Sequence, residues 1–314
     1  YNKESIFALN FADGLGDNQC GAEWRPTSIG SESGWGFFYT KQSYIDKFDD
    51  KDKRKAATFL TEIVSTVDNK TYTTENFGSP YPHGKKWCDG GRENFSQRNK
   101  RTDMYIPIIR YAEILLINAE AKAELGILTQ NDLNATVNLL RSRVEMPEMT
   151  INVPIDPALE ALYPSVSGAL KNVILEIRRE RRVELACEGF RYDDTMRWAA
   201  GSIYERPFEG VYLPGFGVYD CTGDGVPDVA LFKSPNDKMG YTDEELKELS
   251  VYYTEDENGA PKQIYLSEGD KGNIRFYSDT DEDANKFIAP KYYYYPLSKD
   301  ELVLNPNLKQ PIGW

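Results

Sequence analysis

Histidine is almost missing from this chain: His83 is the only one in 314 residues. That argues against a His-based catalytic triad or a His-rich zinc site. Cysteine is sparse, and Cys20, Cys88, Cys187 and Cys221 form no CxxC pair. Zinc ribbons and thioredoxin-type chemistry are therefore excluded. Spacing leaves a Cys20–Cys88 disulfide open, and Cys187, inside a helical stretch, reads as a buried thiol. Positive charge is in deficit, with Lys+Arg 37 against Asp+Glu 50 and a net charge of −13. The balance argues against nucleic acid and against an anionic membrane surface as partners. No apolar run approaches the length of a membrane span. No initiator Met or signal peptide precedes Tyr1, and "YNKESIFALNF" opens with strand-like alternation. The expectation is a fragment, or a processed product, of something longer.

What is present is apolar and aromatic material: 40% hydrophobic residues, 21 Tyr and 5 Trp. That is enough for one large domain or two ordinary ones. The most distinctive stretch is "EIRRERRVELACEGFRYDDTMRW", residues 176–198, in which arginines and acidic residues occur in equal number. Leu170, Val173, Ile174 and Ile177 form an apolar stripe at helical spacing. Continued, the stripe runs through Arg181, Glu184, Leu185 and Glu188. Charges on a buried face must be paired. The spacing offers Glu176–Arg179, Arg181–Glu184 and Glu188–Arg191, each one turn apart. The stretch reads as a scaffold helix rather than a polyanion strip or a catalytic cluster.

The rest of the chain divides by pattern. Residues 1–42, centred on "GAEWRPTSIGSESGWGFFYT", read as a long loop. "SYIDKFDDKDKRKAATFL" is a short helix and an acidic turn, and "TEIVSTVDNKTYTTENF" alternates like a hairpin turning near Asp68-Asn69. "GSPYPHGKKWCDGG" is loop by its Gly and Pro content. Helices follow at about 105–125, closed by Gly126, and at about 131–144. After a Pro-punctuated loop at 146–167, the charged helix pairs with "YDDTMRWAAG", giving a second helical hairpin. Residues 201–290 read as mostly irregular, apart from a "TDEELKEL" helix with a Thr242/Glu245 capping box. The end has a Tyr strand, a Ser298/Glu301 box and an extended tail. The fold class is thus mainly α, with tetratricopeptide-like hairpins near 105–144 and 168–200, a loop-rich region at 201–290, and minor β.

Within "DCTGDGVPD", Asp220, Thr222, Asp224 and Asp228 fall at positions 1, 3, 5 and 9 of an EF-hand-like loop, with Gly225 at position 6. Position 12 is Leu231, not the bidentate Glu. A structural calcium ion and a hydrogen-bonded Asx turn both remain open.

Three segments carry a family resemblance. "RYAEILLINAEAKAELG", "ILEIRRERRVELACEGFRYDDTMRW" and "YYYYPLSKDELVLNPNLKQPIGW", in this order, resemble the hallmarks of the SusD/RagB family. The likeness covers essentially the whole chain as a single domain, 1–314, corresponding to the C-terminal half or more of a member. Lys53 stands where the family often has Pro, and the tail Gln310-Pro311-Ile312-Gly313-Trp314 departs from the usual Gln-Asn-Pro-Gly-Tyr. The resemblance implies a binding protein, not an enzyme, and no required cofactor. It implies a surface lipoprotein of the outer membrane, held there by an N-terminal lipid anchor that this chain lacks. Such a protein captures oligosaccharides, or in some branches peptides, for a SusC-like TonB-dependent transporter. Glycoside hydrolysis by Asp193/Asp194 is the reading from another class.

Sugars stack an apolar face on aromatic rings and need hydrogen bonds for their hydroxyls. The loop aromatics Trp24, Tyr81 and Trp87 are the candidate platforms, with Arg25, Asp89 and Asn94 as polar neighbours. Trp35, between glycines, and Trp198, in the helix motif, read as packing residues.

Overall fold

The Glu4 carbonyl accepts a hydrogen bond from the Tyr111 backbone N–H at 2.8 Å, tying the start of the chain to the helix that opens at Tyr111. The computed structural model describes residues 4–9, 42–45, 47–60, 62–64, 69, 71–73, 83–84, 86, 106–206, 209–220, 225–276 and 286–314. Strand β1 (Ser5–Leu9) runs antiparallel to a strand at Ile106–Arg110. Between them lie helices α1 (Gln42–Ile45) and α2 (Lys53–Thr58) and four short strands. These are β2 (Phe59–Leu60), β3 (Glu62–Val64), β4 (Thr71–Thr73) and β5 (His83–Gly84), with Ile106–Arg110 as β6. β3 and β4 form the expected hairpin, and Asn69 takes a left-handed φ of 56° between them. The single histidine lies in β5, paired with Leu60 of β2.

Helix α3 (Tyr111–Glu124) follows β6 directly. The first turn of the expected helix is therefore strand. "IPII" places β-branched residues and a Pro where pairing with β1 satisfies the backbone. Ala112, Leu115, Leu116, Ala119 and Ala123 bury one face of α3. The helix closes in a Schellman motif: Ile127 N–H reaches Lys122 O and Gly126 N–H reaches Ala123 O. Gly126 sits at φ 73° there, where a side chain is disfavoured.

The expected helix at 131–144 is two pieces, α4 (Gln130–Asn134) and α5 (Val137–Arg143). Thr136 breaks it: its backbone leaves the helical region, and its Oγ1 donates to Asp132 O at 2.6 Å. The expected loop at 146–167 contains α6 (Pro157–Leu162). Asp156 caps it by accepting from Ala158 and Leu159 N–H, and Pro157 opens it. Helix α7 (Lys171–Glu184) is the charged helix, with Val173, Ile174 and Ile177 buried as the stripe requires. It packs on α3, α5 and α6. Helix α8 (Phe190–Arg197) then carries Trp198 into the core, edge-on to Tyr163 at 5.6 Å. Cys187 is at the surface, not buried as expected, because the chain has already left α7 and takes a left-handed φ of 61°.

The mainly-α expectation is corrected most strongly in residues 201–290. Helices make up 35% and strands 19% of the described structure. Strands β7 (Glu209–Leu213), β8 (Gly217–Tyr219), β9 (Val229–Phe232), β10 (Ser250–Tyr253), β11 (Ile264–Leu266) and β12 (Gly272–Phe276) form two small sheets. Their orders are β10-β9-β8, with β9 and β10 parallel, and an antiparallel β11-β12-β7. β9 is buried on both faces: Leu231 packs with Leu213 and Leu266 of the antiparallel sheet, and Ala230 and Phe232 pack with Leu246 on the other side. The Thr242/Glu245 box forms, but the segment after it makes turns rather than a helix. The expected Tyr strand is a 3-10 turn at Lys291–Tyr293. Ser298 caps α9 (Lys299–Leu304) by accepting from Glu301 N–H. The tail folds back: Trp314 Nε1 donates to Lys291 O and Tyr294 O, both at 3.0 Å.

Candidate functional site: the charged helix and the clefts beside it

Glu180, Glu184 and Glu188 recur every fourth residue, so they stack along one side of α7 and its exit. Arginines from elsewhere close on them. Arg54 of α2 donates to Glu180 at 2.5 Å and Glu184 at 2.9 Å, and Asp52 clasps its other edge. Arg110, at the end of β6, reaches Glu4 and Glu184 at 2.8 Å and Glu188 at 2.6 Å. Arg141 and Arg143 of α5 take Glu180 and Glu184, and Lys86 takes Glu188. Of the three ion pairs expected within the helix, only Glu176–Arg179 forms, at 3.4 Å. Arg181 goes instead to Asp194, at 2.8 and 2.9 Å, and Arg191 donates to Tyr163 Oη at 2.8 Å. Residues on a buried helix face meet partners from the elements packed against them more squarely than neighbours one turn away.

These contacts fix the protonation states. Burial alone would raise the Glu184 carboxyl, but the Arg110 and Arg143 guanidiniums beside it hold it at about 2. Burial likewise opposes ionisation of Glu120, and the bonds from Arg197 and Trp198 Nε1 outweigh it. Carboxylates locked in the charged form do not work as general acids at neutral pH. Asp194 accepts from Arg181 on both oxygens and from Arg197 on one, so this member of the Asp193/Asp194 pair is committed to the scaffold. The lattice is scaffold, as the sequence indicated. Its cationic members Arg54, Arg110, Arg141 and Arg143 were not singled out from sequence. The available signal was a lone charge ending an apolar strand (Arg110) and one behind a capping Asp (Arg54).

Clefts flank the scaffold. One, of about 730 Å3, is bordered by Tyr44, Phe48, Tyr163, Glu176, Arg179 and Arg206. Its size lies within the ordinary range for small-ligand sites, about 300–1,000 Å3. Burial raises the Glu176 carboxyl there. A second cleft, of about 300 Å3, lies between α7 and α8 and shares Tyr44 and Arg182 with the first. Tyr44 is pinned by its Oη donating to Arg182 O at 3.1 Å, and burial pushes its phenol up to about 12.

The six residues proposed from sequence as the ligand site, Trp24, Arg25, Tyr81, Trp87, Asp89 and Asn94, lie outside the described residues. So do Cys20, Cys88 and Cys221, and with them any disulfide. Of the candidate calcium ligands, Thr222 and Asp224 are also outside. Asp220 accepts from Gly225 N–H at 2.7 Å, and Asp228 N–H donates to Tyr219 O at 2.9 Å. Gly225 takes φ 91°, as a sharp turn requires. Among the described residues, no cluster of three metal-binding side chains occurs, and no helix is long and apolar enough to cross a membrane.

Comparison with known proteins places the fold. A search of curated proteins finds no match. A SusD-like protein of Bacteroides fragilis aligns over 100% of this chain and 55% of its own, at 20% identity and a TM-score of 0.58. A SusD-like carbohydrate binding protein of the same organism gives 98%, 55%, 19% and 0.58 for the same measures. A SusD superfamily protein of Parabacteroides distasonis gives 99%, 50%, 14% and 0.50. The chain therefore spans about half the length of the solved structures it matches. The model of the SusD family matches residues 3–314, and the chain belongs to that family.

Proposed function

We propose that this chain is part of a cell-surface protein that captures oligosaccharides and passes them to a SusC-like TonB-dependent transporter of the outer membrane. Membership of the SusD family over residues 3–314 carries this reading. A solved neighbour is named a carbohydrate binding protein. A lipid anchor would hold the protein to the membrane. The loop aromatics Trp24, Tyr81 and Trp87 would supply stacking faces, and Arg25, Asp89 and Asn94 the hydrogen bonds that desolvated hydroxyls need.

Isothermal titration against plant, starch and mucin oligosaccharides tests it, on the wild type and on Trp24→Ala and Tyr81→Ala. The expected outcome is binding of one sugar class that weakens about tenfold or more in at least one variant, the loss of roughly 1.4 kcal/mol or more. Unchanged affinity in both variants would move the site out of these loops. No binding of any oligosaccharide would remove the carbohydrate reading.

A further inference from the structure

On the side of α7 that faces Glu180, Glu184 and Glu188, every cation meets an acid. On the side that faces α8, the cations outnumber the acids. The smaller cleft is lined by three arginines, Arg181, Arg182 and Arg191, and by one acidic residue, Asp194, a surplus of two positive charges among its lining residues, while Glu113 of α3 acts on Arg181 from outside the lining. Asp194 is already held by Arg181 Nε and by Arg197. Arg191 has Tyr163 Oη on one nitrogen only. For the Arg182 guanidinium no acceptor is found among the described residues; its neighbours include the Tyr44 ring at 4.8 Å, Tyr163 and two further cations, Arg191 and Arg206. Arg181 Nη1, Arg182 Nε and Arg191 Nη2 are buried without any hydrogen-bond partner. Arg181 is itself only 4% exposed. Ring contacts partly offset the charge, with Arg181 over Phe190 and Arg191 over Tyr163, but they leave the N–H donors unanswered. The surplus stands out in a chain whose net charge is −13.

We infer that the cleft between α7 and α8 is a recognition pocket for a carboxylate carried on a sugar ring. A guanidinium fork matches a carboxylate bidentately. The remaining walls are apolar, formed by Leu185, Ala186 and the Phe190 ring. They suit a ligand with a hydrophobic body rather than a bare ion, and a cleft of about 300 Å3 is at the small end for ligand sites. The sugar part of this inference rests on the carbohydrate-binding reading above; the carboxylate part does not.

The test measures affinity and thermal midpoint with glucuronate, glucose, acetate and inorganic phosphate. The proteins are the wild type, Arg182→Gln and Arg191→Gln. Glucuronate is expected to bind and to raise the midpoint by mass action, with glucose inert at the same concentration. Arg182→Gln is expected to bind glucuronate at least tenfold more weakly. Its unliganded midpoint should equal or exceed the wild type's, because the side chain removed has no acidic partner among the described residues. If that variant fails to fold, Arg191→Gln should show the same loss of affinity. Acetate binding as tightly as glucuronate keeps the carboxylate and overturns the sugar. Phosphate or glucose binding as tightly as glucuronate, or wild-type affinity in both variants, overturns the pocket. Oligosaccharide binding without glucuronate binding would leave the proposed function standing and remove this inference. Glucuronate binding without oligosaccharide binding would do the reverse.

Discussion

Glu184 is met by arginines from three separate elements, Arg54 of α2, Arg110 at the end of β6 and Arg143 of α5. That convergence makes it the residue whose removal should be felt most. Glu184→Gln keeps the shape but leaves buried guanidiniums short of a counter-charge, a situation that costs about 3–5 kcal/mol. Denaturant unfolding at pH 7 checks this. The pH dependence follows from its carboxyl, held at about 2 when folded against an ordinary 4.5. A depressed carboxyl contributes stability that is present above the ordinary value and is lost as pH falls toward the folded one. The thermal midpoint should therefore hold from neutral pH to about 5 and fall steeply below. The fall should be shallower in Glu184→Gln, and an unchanged acid slope would show that other carboxylates set it. That Glu184 is buried was legible, because it falls on the apolar stripe of its own helix. Its partners were not, since they come from strands and helices far away in the sequence.

Helix α3 shows what element-scale patterns reveal and what they hide. Its buried positions were readable from Ala and Leu spacing, and its end from Gly126. Its start was not, because whether "IPII" continues the helix or joins a sheet depends on β1, about a hundred residues earlier. The same limit applies at Thr136, where a side-chain bond splits one expected helix into two, and in residues 209–276, where strands of three to five residues are too short to show alternation. The two faces of α3 differ sharply. Leu116 is fully buried, whereas Ile117, one residue on, is 45% exposed. Leu116→Ala should cost about 2–5 kcal/mol, the usual result of opening a cavity in a packed core. Ile117→Ala should change stability by about 0.5 kcal/mol or less. Urea midpoints of the two variants decide it, and equal losses would place Ile117 in a packed interface.

At the scale of the whole molecule, three sequence segments in order were enough to show the family, because they encode the scaffold: α3, the α7–α8 charge lattice and the folded-back tail. The loops proposed to meet a ligand were legible only as residue types with suitable chemistry, since no pattern in sequence fixes where a loop side chain points. Charge is organised at this scale too. The chain carries a net charge of −13, while Arg54, Glu180 and Glu184 of the lattice around α7 are buried. Salt screens exposed charges with a Debye length of about 8 Å near physiological strength and screens buried pairs much less. Raising NaCl at pH 7 should therefore relieve the self-repulsion of an acidic surface while leaving Arg54, Arg110 and Glu184 in place. The thermal midpoint is expected to rise from low salt to moderate salt. A falling midpoint would mean that exposed pairs such as Lys238–Asp243 and Lys55–Asp50 contribute more than the enclosed lattice. That result would also contradict the usual small value of surface ion pairs, about 0–1 kcal/mol. The comparison is sharpened by Glu184→Gln, which should respond to salt as the wild type does if the lattice is shielded, and more strongly if solvent ions reach it.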